Sequence, residues 1–291
     1  GILHLGLLNS LIIGVALVAT SVGISVGVWE ENNAISTDQG QLLLDTAEFD
    51  DVVGVILMAL LFAVIPVMTD SSQTVSIGSQ IAATALIFLG KLAAFVVMCV
   101  FFSRYLEKTV TAFFGRLENA PQESLTIIAI GLLIAALAGL VGFSVAIGAF
   151  FAGLIFSRDP ASIKEKTVIK VLYELFVPFF FIAIGLKIQT DHLTAAVWPA
   201  VILASAAFLG KYLGTFLPAV LFKNSKNASL LGLSMIPRAE VAMIIMQRSL
   251  DLPNHAATGR IYSAMVMVCL VSCVIPPLLL NRLIAQFVKT N

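Results

Sequence analysis

Two adjacent carboxylates, Asp50 and Asp51, lie about ten residues into a stretch that otherwise has the composition of a membrane-spanning helix. The apolar run VVGVILMALLFAVIPVM begins directly after them, which places the pair near mid-membrane. An ionised Asp at the centre of such a helix costs roughly 2.5–3.5 kcal/mol. Two of them side by side therefore need a cation, a proton or a basic partner to offset their charge.

The composition is that of an integral membrane protein. Of the residues, 59% are hydrophobic and 12% are charged, whereas soluble domains carry about 25% charged residues. The net charge is zero, which speaks against nucleic acid as a partner. The cysteines at 99, 269 and 273 lie within apolar runs, so we expect them to pack as small hydrophobic residues rather than form disulfides. No cofactor is predicted.

Apolar runs that are long enough to span a bilayer predict an all-α polytopic fold. We predict about nine transmembrane helices, at 5–28, 42–68, 80–102, 124–140, 143–157, 170–187, 194–222, 229–248 and 259–286. The weakest boundary is the one between the fourth and fifth passes, where one long bent helix is the alternative.

The distribution of basic residues favours nine passes with a cytoplasmic C-terminus. This arrangement puts eleven basic residues inside: Arg104, Lys108, Arg116, Arg158, Lys164, Lys166, Lys170, Lys223, Lys226, Arg282 and Lys289. Three lie outside: Lys187, Arg248 and Arg260. The asymmetry is the one that the positive-inside rule expects. Merging the fourth and fifth passes would move the first three inside residues to the outside and weaken it.

Further ionisable residues lie within apolar runs, and they include both signs. The cations are Lys91, Lys211 and Arg238, and the acids beside the Asp pair include Glu240. Near-neutral pairing is what a water-poor interior requires. For Lys91 a simpler interpretation is favoured, in which the side chain extends toward the membrane interface.

Two passes also contain helix-breaking residues. The first contains ATSVGISVG, and the eighth contains SMIPRAEV, where Pro237 lacks an amide hydrogen and predicts a kink. Each break alone has an ordinary packing kink as its alternative. Together with nearby ionisable groups, they indicate the discontinuous helices from which secondary transporters build ion sites.

The segments ALVATSVGISV, AEFDDVVGVI, FLGKYLG and SMIPRAEVAMI, in that order, resemble the bacterial monovalent cation/proton antiporters of the Kef-type branch, which are Na⁺/H⁺ exchangers. The segments VPFFFIAIGLKI and GAFFAGLIFS are also similar to this family. The resemblance covers essentially the whole chain. It implies a secondary-active antiporter, not an enzyme, that exchanges Na⁺ or another monovalent cation for H⁺ by alternating access.

The resemblance also implies the sodium/proton antiporter fold, in which two discontinuous helices cross. The chain would form one transmembrane unit, residues 1–291, with core-type helices at about 1–68 and 194–288 and linker and dimer-scaffold helices at about 80–187. The crossing regions would contain Thr20, Ser21, Gly23, Pro237, Arg238 and Glu240.

For the ion site, the resemblance implies a role for each charged residue. Asp51 would bind the monovalent cation and protons in turn, and Asp50 would be its neighbour in the site, paired with Lys211. Arg238 and Glu240 would be ionic partners that hold the crossing together. Carboxylate, hydroxyl and carbonyl oxygens are the ligands that hard cations prefer, and coupled carboxylates titrate as a pair.

Compared with the family, the chain is short. It begins on the helix with the first crossing motif, so the expected inverted repeat is incomplete, and we expect an N-terminally incomplete antiporter that is a homodimer when full-length. A bacterial inner (plasma) membrane is the expected location. Alternatives are a non-transporting or regulatory antiporter fragment, and a K⁺/H⁺ efflux or channel-like cation pathway. An intramembrane aspartyl protease is disfavoured, since consecutive residues point about 100° apart on one helix.

Overall fold

The structure is a computed structural model that describes residues 6–69, 77–106, 109, 123–156, 162–188, 191, 193–222, 225–250 and 259–290. Its helices are α1 (Leu7–Val18), α2 (Val22–Glu31), α3 (Asp38–Thr69), α4 (Ile77–Phe101), α5 (Glu123–Val141), α6 (Val145–Phe156), α7 (Ser162–Leu186), α8 (Leu193–Phe222), α9 (Ser225–Ser234), α10 (Glu240–Leu250) and α11 (Gly259–Thr290). A π-helical turn, Phe102–Leu106, follows α4. No strand occurs among these residues, so the all-α prediction is confirmed.

Several helical segments have the length and hydropathy of membrane spans. Within the described ranges, five qualify: Leu7–Glu31, Asp38–Met68, Gly78–Leu106, Leu193–Phe222 and Gly259–Gln286. Shorter apolar helices are Ile127–Val141, Val145–Phe156 and Val171–Leu186. The nine predicted passes fall on these helices and on α9 with α10, while their exact number stays a prediction. The basic residues Lys108, Arg116, Arg158 and Lys223 lie outside the described residues.

Both predicted helix breaks are full interruptions. The first pass divides into α1 and α2, with Ala19 in an extended conformation between them (φ −62°, ψ 136°). The eighth divides into α9 and α10, and the five residues between Ser234 and Glu240 are not helical. Since Pro237 in this segment has no amide hydrogen to donate, the interruption follows from the sequence. It is longer than the predicted kink.

The uncertain boundary between the fourth and fifth passes is a tight turn. Helix α5 ends at Val141 and α6 begins at Val145, and Gly142 between them has a φ of +96°, which strongly favours glycine. The two helices then pack closely: a Cβ built on Gly148 would lie 2.6 Å from Ala135 Cα and 2.6 Å from Ala138 Cβ. The long bent helix is therefore not the observed structure.

The chain divides into two compact units. One comprises Gly1–Leu61 with Ile184–Asn291, and the other comprises Phe62–Ala183. The predicted grouping into core-type and scaffold-type helices, with its bounds and functions, stays a prediction.

The first unit contains both helix breaks. Its buried apolar cluster joins α2, α3, α9 and α11 through Trp29, Leu43, Leu230 and Leu280. The second unit packs α4 against the α5–α6 hairpin by edge-to-face aromatic contacts. Phe143 lies 5.2 Å from Phe88 and 5.6 Å from Phe95, measured between ring centroids. Such contacts stabilise helix packing beyond the apolar area that they bury.

Candidate functional site

An ion pair joins α8 to α3 beside the first helix break. The ammonium group of Lys211 donates a hydrogen bond to Asp50 Oδ1. The same group donates to the carbonyl of Val18, 2.9 Å away, in the last turn of α1. The side chains of Lys211 and Asp50 are only 15% and 16% exposed. A lysine that neutralises an acid and also binds the free carbonyl end of a helix is doubly stabilised in a low-dielectric interior.

The path of α3 brings Asp50 to this position. Gly54 lies one turn after Asp50, and a Cβ built on it would be 3.8 Å from Ala19 in the first break. This face of α3 therefore runs against the interrupted helix.

Asp51 is also half-buried, but it projects from α3 at about 100° from Asp50. In the described part of the chain, no hydrogen bond from Lys211 to Asp51 is present. The two carboxylates thus have different surroundings, one of them bonded to a cation.

The two interrupted segments contact each other through backbone groups. The amide of Ser21 donates to the carbonyl of Pro237 over 2.7 Å. Thr20 Oγ1 donates to the carbonyl of Met235 at 3.4 Å. Helix breaks leave amides and carbonyls without intrahelical partners, and these bonds between the two breaks satisfy some of those groups. The structure therefore brings the predicted residues Thr20, Ser21 and Pro237 together.

Two residues that the sequence reasoning missed, Ser25 and Trp29, hold the end of α9 at Ser234. Ser25 Oγ donates to the carbonyl of Ser234 at 2.6 Å, and Trp29 Nε1 donates to Ser234 Oγ at 2.9 Å. All three residues are buried. The only sequence signal was the presence of hydroxyl and indole groups in otherwise apolar segments.

Arg238 lies within the second break and binds carbonyl oxygens. Its Nε donates to Leu17 at 2.8 Å, one terminal nitrogen donates to Ile236 at 2.7 Å, and the other donates to Ala207 at 3.0 Å. The residue is 1% exposed. A guanidinium group has five N–H donors in a fixed fork, so it suits several carbonyls at once.

This finding corrects the expectation that Arg238 and Glu240 act as ionic partners. Among the described residues, no ion pair joins them. The guanidinium is directed to carbonyl ends that the helix breaks leave free. Glu240 is instead the first residue of α10, where its charge complements the positive end of the helix dipole. Gly23 is also placed differently, since it lies in the first turn of α2 rather than in the break, and it is exposed.

Two buried oxygens beside the first helix break are available to bind an ion. Ser21 Oγ and Asp50 Oδ2 are buried, and neither has a hydrogen-bond partner among the residues that the structure describes. A buried polar atom without a partner is costly. Hydroxyl and carboxylate oxygens are the ligand types that hard cations prefer, so these atoms suit a small cation or a proton.

Apolar helices of membrane length, interrupted helices and a buried ion pair together define an integral, multi-pass membrane protein. Residues 1–285 match the family described as "Sodium/hydrogen exchanger, transmembrane". The chain belongs to this family. The relatives described next are named as antiporters, which are transporters and not enzymes.

Three relatives show how far the similarity extends. The chain is 30% identical to a Na⁺/H⁺ antiporter of Enterococcus hirae over 94% of its own length and 69% of the relative's. It is 28% identical to the high-affinity Na⁺/H⁺ antiporter NhaS3 of Synechocystis, covering 91% of this chain and 56% of that protein. It is also 28% identical to the Na⁺/H⁺-K⁺ antiporter GerN of Bacillus cereus, covering 93% and 67%. The chain thus spans between 56% and 69% of the length of these relatives.

Proposed function

We propose that this protein exchanges a monovalent cation, Na⁺ in the first place, for H⁺ across the membrane by alternating access. The observation that carries this proposal is the ion pair between Lys211 and Asp50 beside the carbonyl end of α1. Membership of the sodium/hydrogen exchanger family and the antiporter names of the relatives support it.

In this mechanism the two acids have separate tasks. Asp51 binds the cation or a proton, because no lysine among the described residues is bonded to it and it remains the carboxylate that needs a neutralising ion. Asp50 is neutralised by Lys211 until a cation or proton takes over that task. Exclusive occupancy by one ion or the other makes the movement of one depend on release of the other.

The crossing supplies the rigid frame for this exchange. Ser21 and Pro237 are joined through the backbone, and Arg238 holds carbonyls of both α1 and α8. A change in which ion occupies the site would therefore displace the interrupted helices together. Secondary transporters expose such mid-membrane sites alternately to the two sides by movements of this kind.

The identity of the cation is the next question. The name of the Bacillus cereus relative includes K⁺ beside Na⁺, so K⁺ is the second candidate. Comparing Na⁺, Li⁺ and K⁺ gradients on the same vesicles decides between them. Because the chain is shorter than these relatives, the assay uses the complete gene product and, in parallel, the 291-residue chain. If the complete gene product exchanges ions and the 291-residue chain does not, the chain is a non-transporting fragment.

The membrane, the orientation and the assembly belong to the same proposal. The protein lies in the bacterial inner (plasma) membrane, its C-terminus is cytoplasmic, and the full-length form is a homodimer. The excess of basic residues on the predicted inner side supports the orientation.

The decisive substitution is Asp51→Asn, which keeps the size of the side chain and removes its charge. A Na⁺ gradient imposed on vesicles should drive proton flux in the wild type and none in the variant, because an amide can neither release a proton nor neutralise a cation. The measurement is the fluorescence of a pH-sensitive dye trapped inside the vesicles.

Asp45→Asn is the matched control for this substitution. Asp45 lies on the same helix and is exposed, so its loss should leave exchange close to the wild-type rate. Exchange that persists in Asp51→Asn would exclude the proposed ion site. Conductance that follows the membrane potential without proton countertransport would favour a channel instead.

A further inference from the structure

The backbone of Arg238 is held by a helix that none of the predicted site residues belongs to. Arg238 lies in the non-helical segment between α9 and α10. Its amide donates to Ser272 Oγ of α11 at 3.0 Å. Its carbonyl lies 3.1 Å from the same hydroxyl and accepts from Cys273 Sγ at 3.2 Å. Two neighbouring side chains thus satisfy both backbone groups of one residue.

These bonds lie in a buried environment. Ser272 is fully buried, Arg238 is 1% exposed and Cys273 is half-buried. Ser272 Oγ also lies 2.8 Å from the carbonyl of Cys269, within its own helix, so one hydroxyl proton is shared between two carbonyls. Buried amides and carbonyls that lose their partners are strongly penalised, and the contacts of Ser272 and Cys273 are therefore difficult to replace.

The position of Arg238 affects the ion site in two ways. Its guanidinium binds the carbonyl of Leu17 at the end of α1 and the carbonyl of Ala207, one turn before Lys211 on α8. The preceding residue, Pro237, accepts a hydrogen bond from Ser21 in the first break. A small displacement of the Arg238 backbone would hence move both the end of α1 and the turn that presents Lys211.

We propose that Ser272 and Cys273, here called the α11 clamp, are positioning residues for the ion site: they fix the backbone of Arg238 and, through it, the register in which the two helix breaks meet. Neither side chain needs to touch the transported ion. The expected effect on the kinetics of Na⁺ transport rests on the proposed exchange function. The hydrogen bonds between the clamp and the backbone of Arg238 do not depend on that function.

Two measurements on the complete gene product test the clamp. The first is hydrogen–deuterium exchange at the Arg238 amide, which in Ser272→Ala should be at least about tenfold faster than in the wild type, since its acceptor is lost. The second is Na⁺-driven proton flux, in which the same variant should raise the KM for Na⁺ by about tenfold and change the maximal rate less. Ser272→Thr retains a hydroxyl and should restore both values toward the wild type.

Ser263→Ala is the matched control. Ser263 is on the same helix and 1% exposed, and its hydroxyl has no hydrogen-bond partner among the described residues. It should leave the Arg238 amide and the KM unchanged. If Ser272→Ala behaves like Ser263→Ala in either measurement, the clamp is not a positioning element.

Cys273→Ala provides a second variant for the case in which Ser272→Ala does not fold. It removes one weaker bond and should change both quantities in the same direction by a smaller factor. If Cys273→Ala leaves both the exchange rate of the Arg238 amide and the KM for Na⁺ unchanged, the proposal is overturned. If the wild type shows no Na⁺-driven flux, the proposed function fails, and protection of the Arg238 amide alone then decides whether the α11 clamp exists.

Discussion

At the scale of single residues, the two acids of α3 have different environments because their side chains contact different groups. Asp50 is bonded to Lys211, which also binds the carbonyl of Val18. Asp51 has no such partner among the described side chains and is half-buried. Adjacent residues on a helix point in different directions, so two chemically identical side chains have different environments.

Replacing the lysine tests this difference. Lys211→Ala removes a charge that would move with the ion site, so Na⁺-driven proton flux should respond less to an imposed membrane potential than in the wild type. Insertion into the membrane should be retained. The measurement compares flux into liposomes with and without a potassium diffusion potential set by an ionophore.

Lys91→Ala is the appropriate comparison. Lys91 also follows a glycine in an apolar helix, but its side chain is exposed. The potential dependence of that variant should match the wild type. Should Lys211→Ala retain the full response, or fail to fold while Lys91→Ala folds, Lys211 would be structural rather than part of the transport cycle.

At the scale of helices, residue types predicted where the helices are interrupted better than which residues the interrupted segments contact. Pro237 has no amide hydrogen, so the interruption there was recognisable from residue type alone. The turn at Gly142 was less visible, because its left-handed backbone conformation appears only in the structure. The contact of Ser25 with Ser234 joins residues 209 positions apart. Such a pairing depends on how helices pack, and one sequence does not contain that information.

The carbonyl partners of Arg238 were missed for a related reason. An arginine in an apolar segment predicts an acidic partner when only side chains are counted. In the structure, the interrupted helix α1 offers backbone carbonyls that no intrahelical amide satisfies, and these carry a partial negative charge. The structure does bring the predicted residues Thr20, Ser21 and Pro237 together, while the roles assigned to the site residues stay predictions.

The α5–α6 hairpin gives a stability prediction at this scale. Gly148→Ala places a methyl group 2.6 Å from Ala135 Cα and from Ala138 Cβ, so the two helices must separate. We expect a loss of about 1–3 kcal/mol, which is typical of overpacking. The measurement is the thermal unfolding midpoint of the purified protein in detergent.

Gly153→Ala controls for the change of residue type. Gly153 is on the same helix, and a Cβ built there meets nothing within 4 Å. Its midpoint should equal or slightly exceed that of the wild type. Equal midpoints for the two alanine variants would contradict the close packing at Gly148.

At the scale of the whole molecule, the charge pattern predicts the orientation. A green fluorescent protein fused after the C-terminus should fluoresce, since it folds in the cytoplasm, and one fused after Arg248 should stay dark. Alkaline phosphatase at the same positions should give the opposite result. Fluorescence at both positions would refute the predicted topology.

The burial of Trp29 has a practical consequence. The chain contains two tryptophans; Trp29 is 1% exposed and bonded to the end of α9, whereas Trp198 is 68% exposed. Indole emission responds to the polarity around the ring and to the partner of its N–H group. With Trp198 replaced by Phe, the remaining emitter is an intrinsic optical reporter of the interrupted helices, and no dye has to be attached.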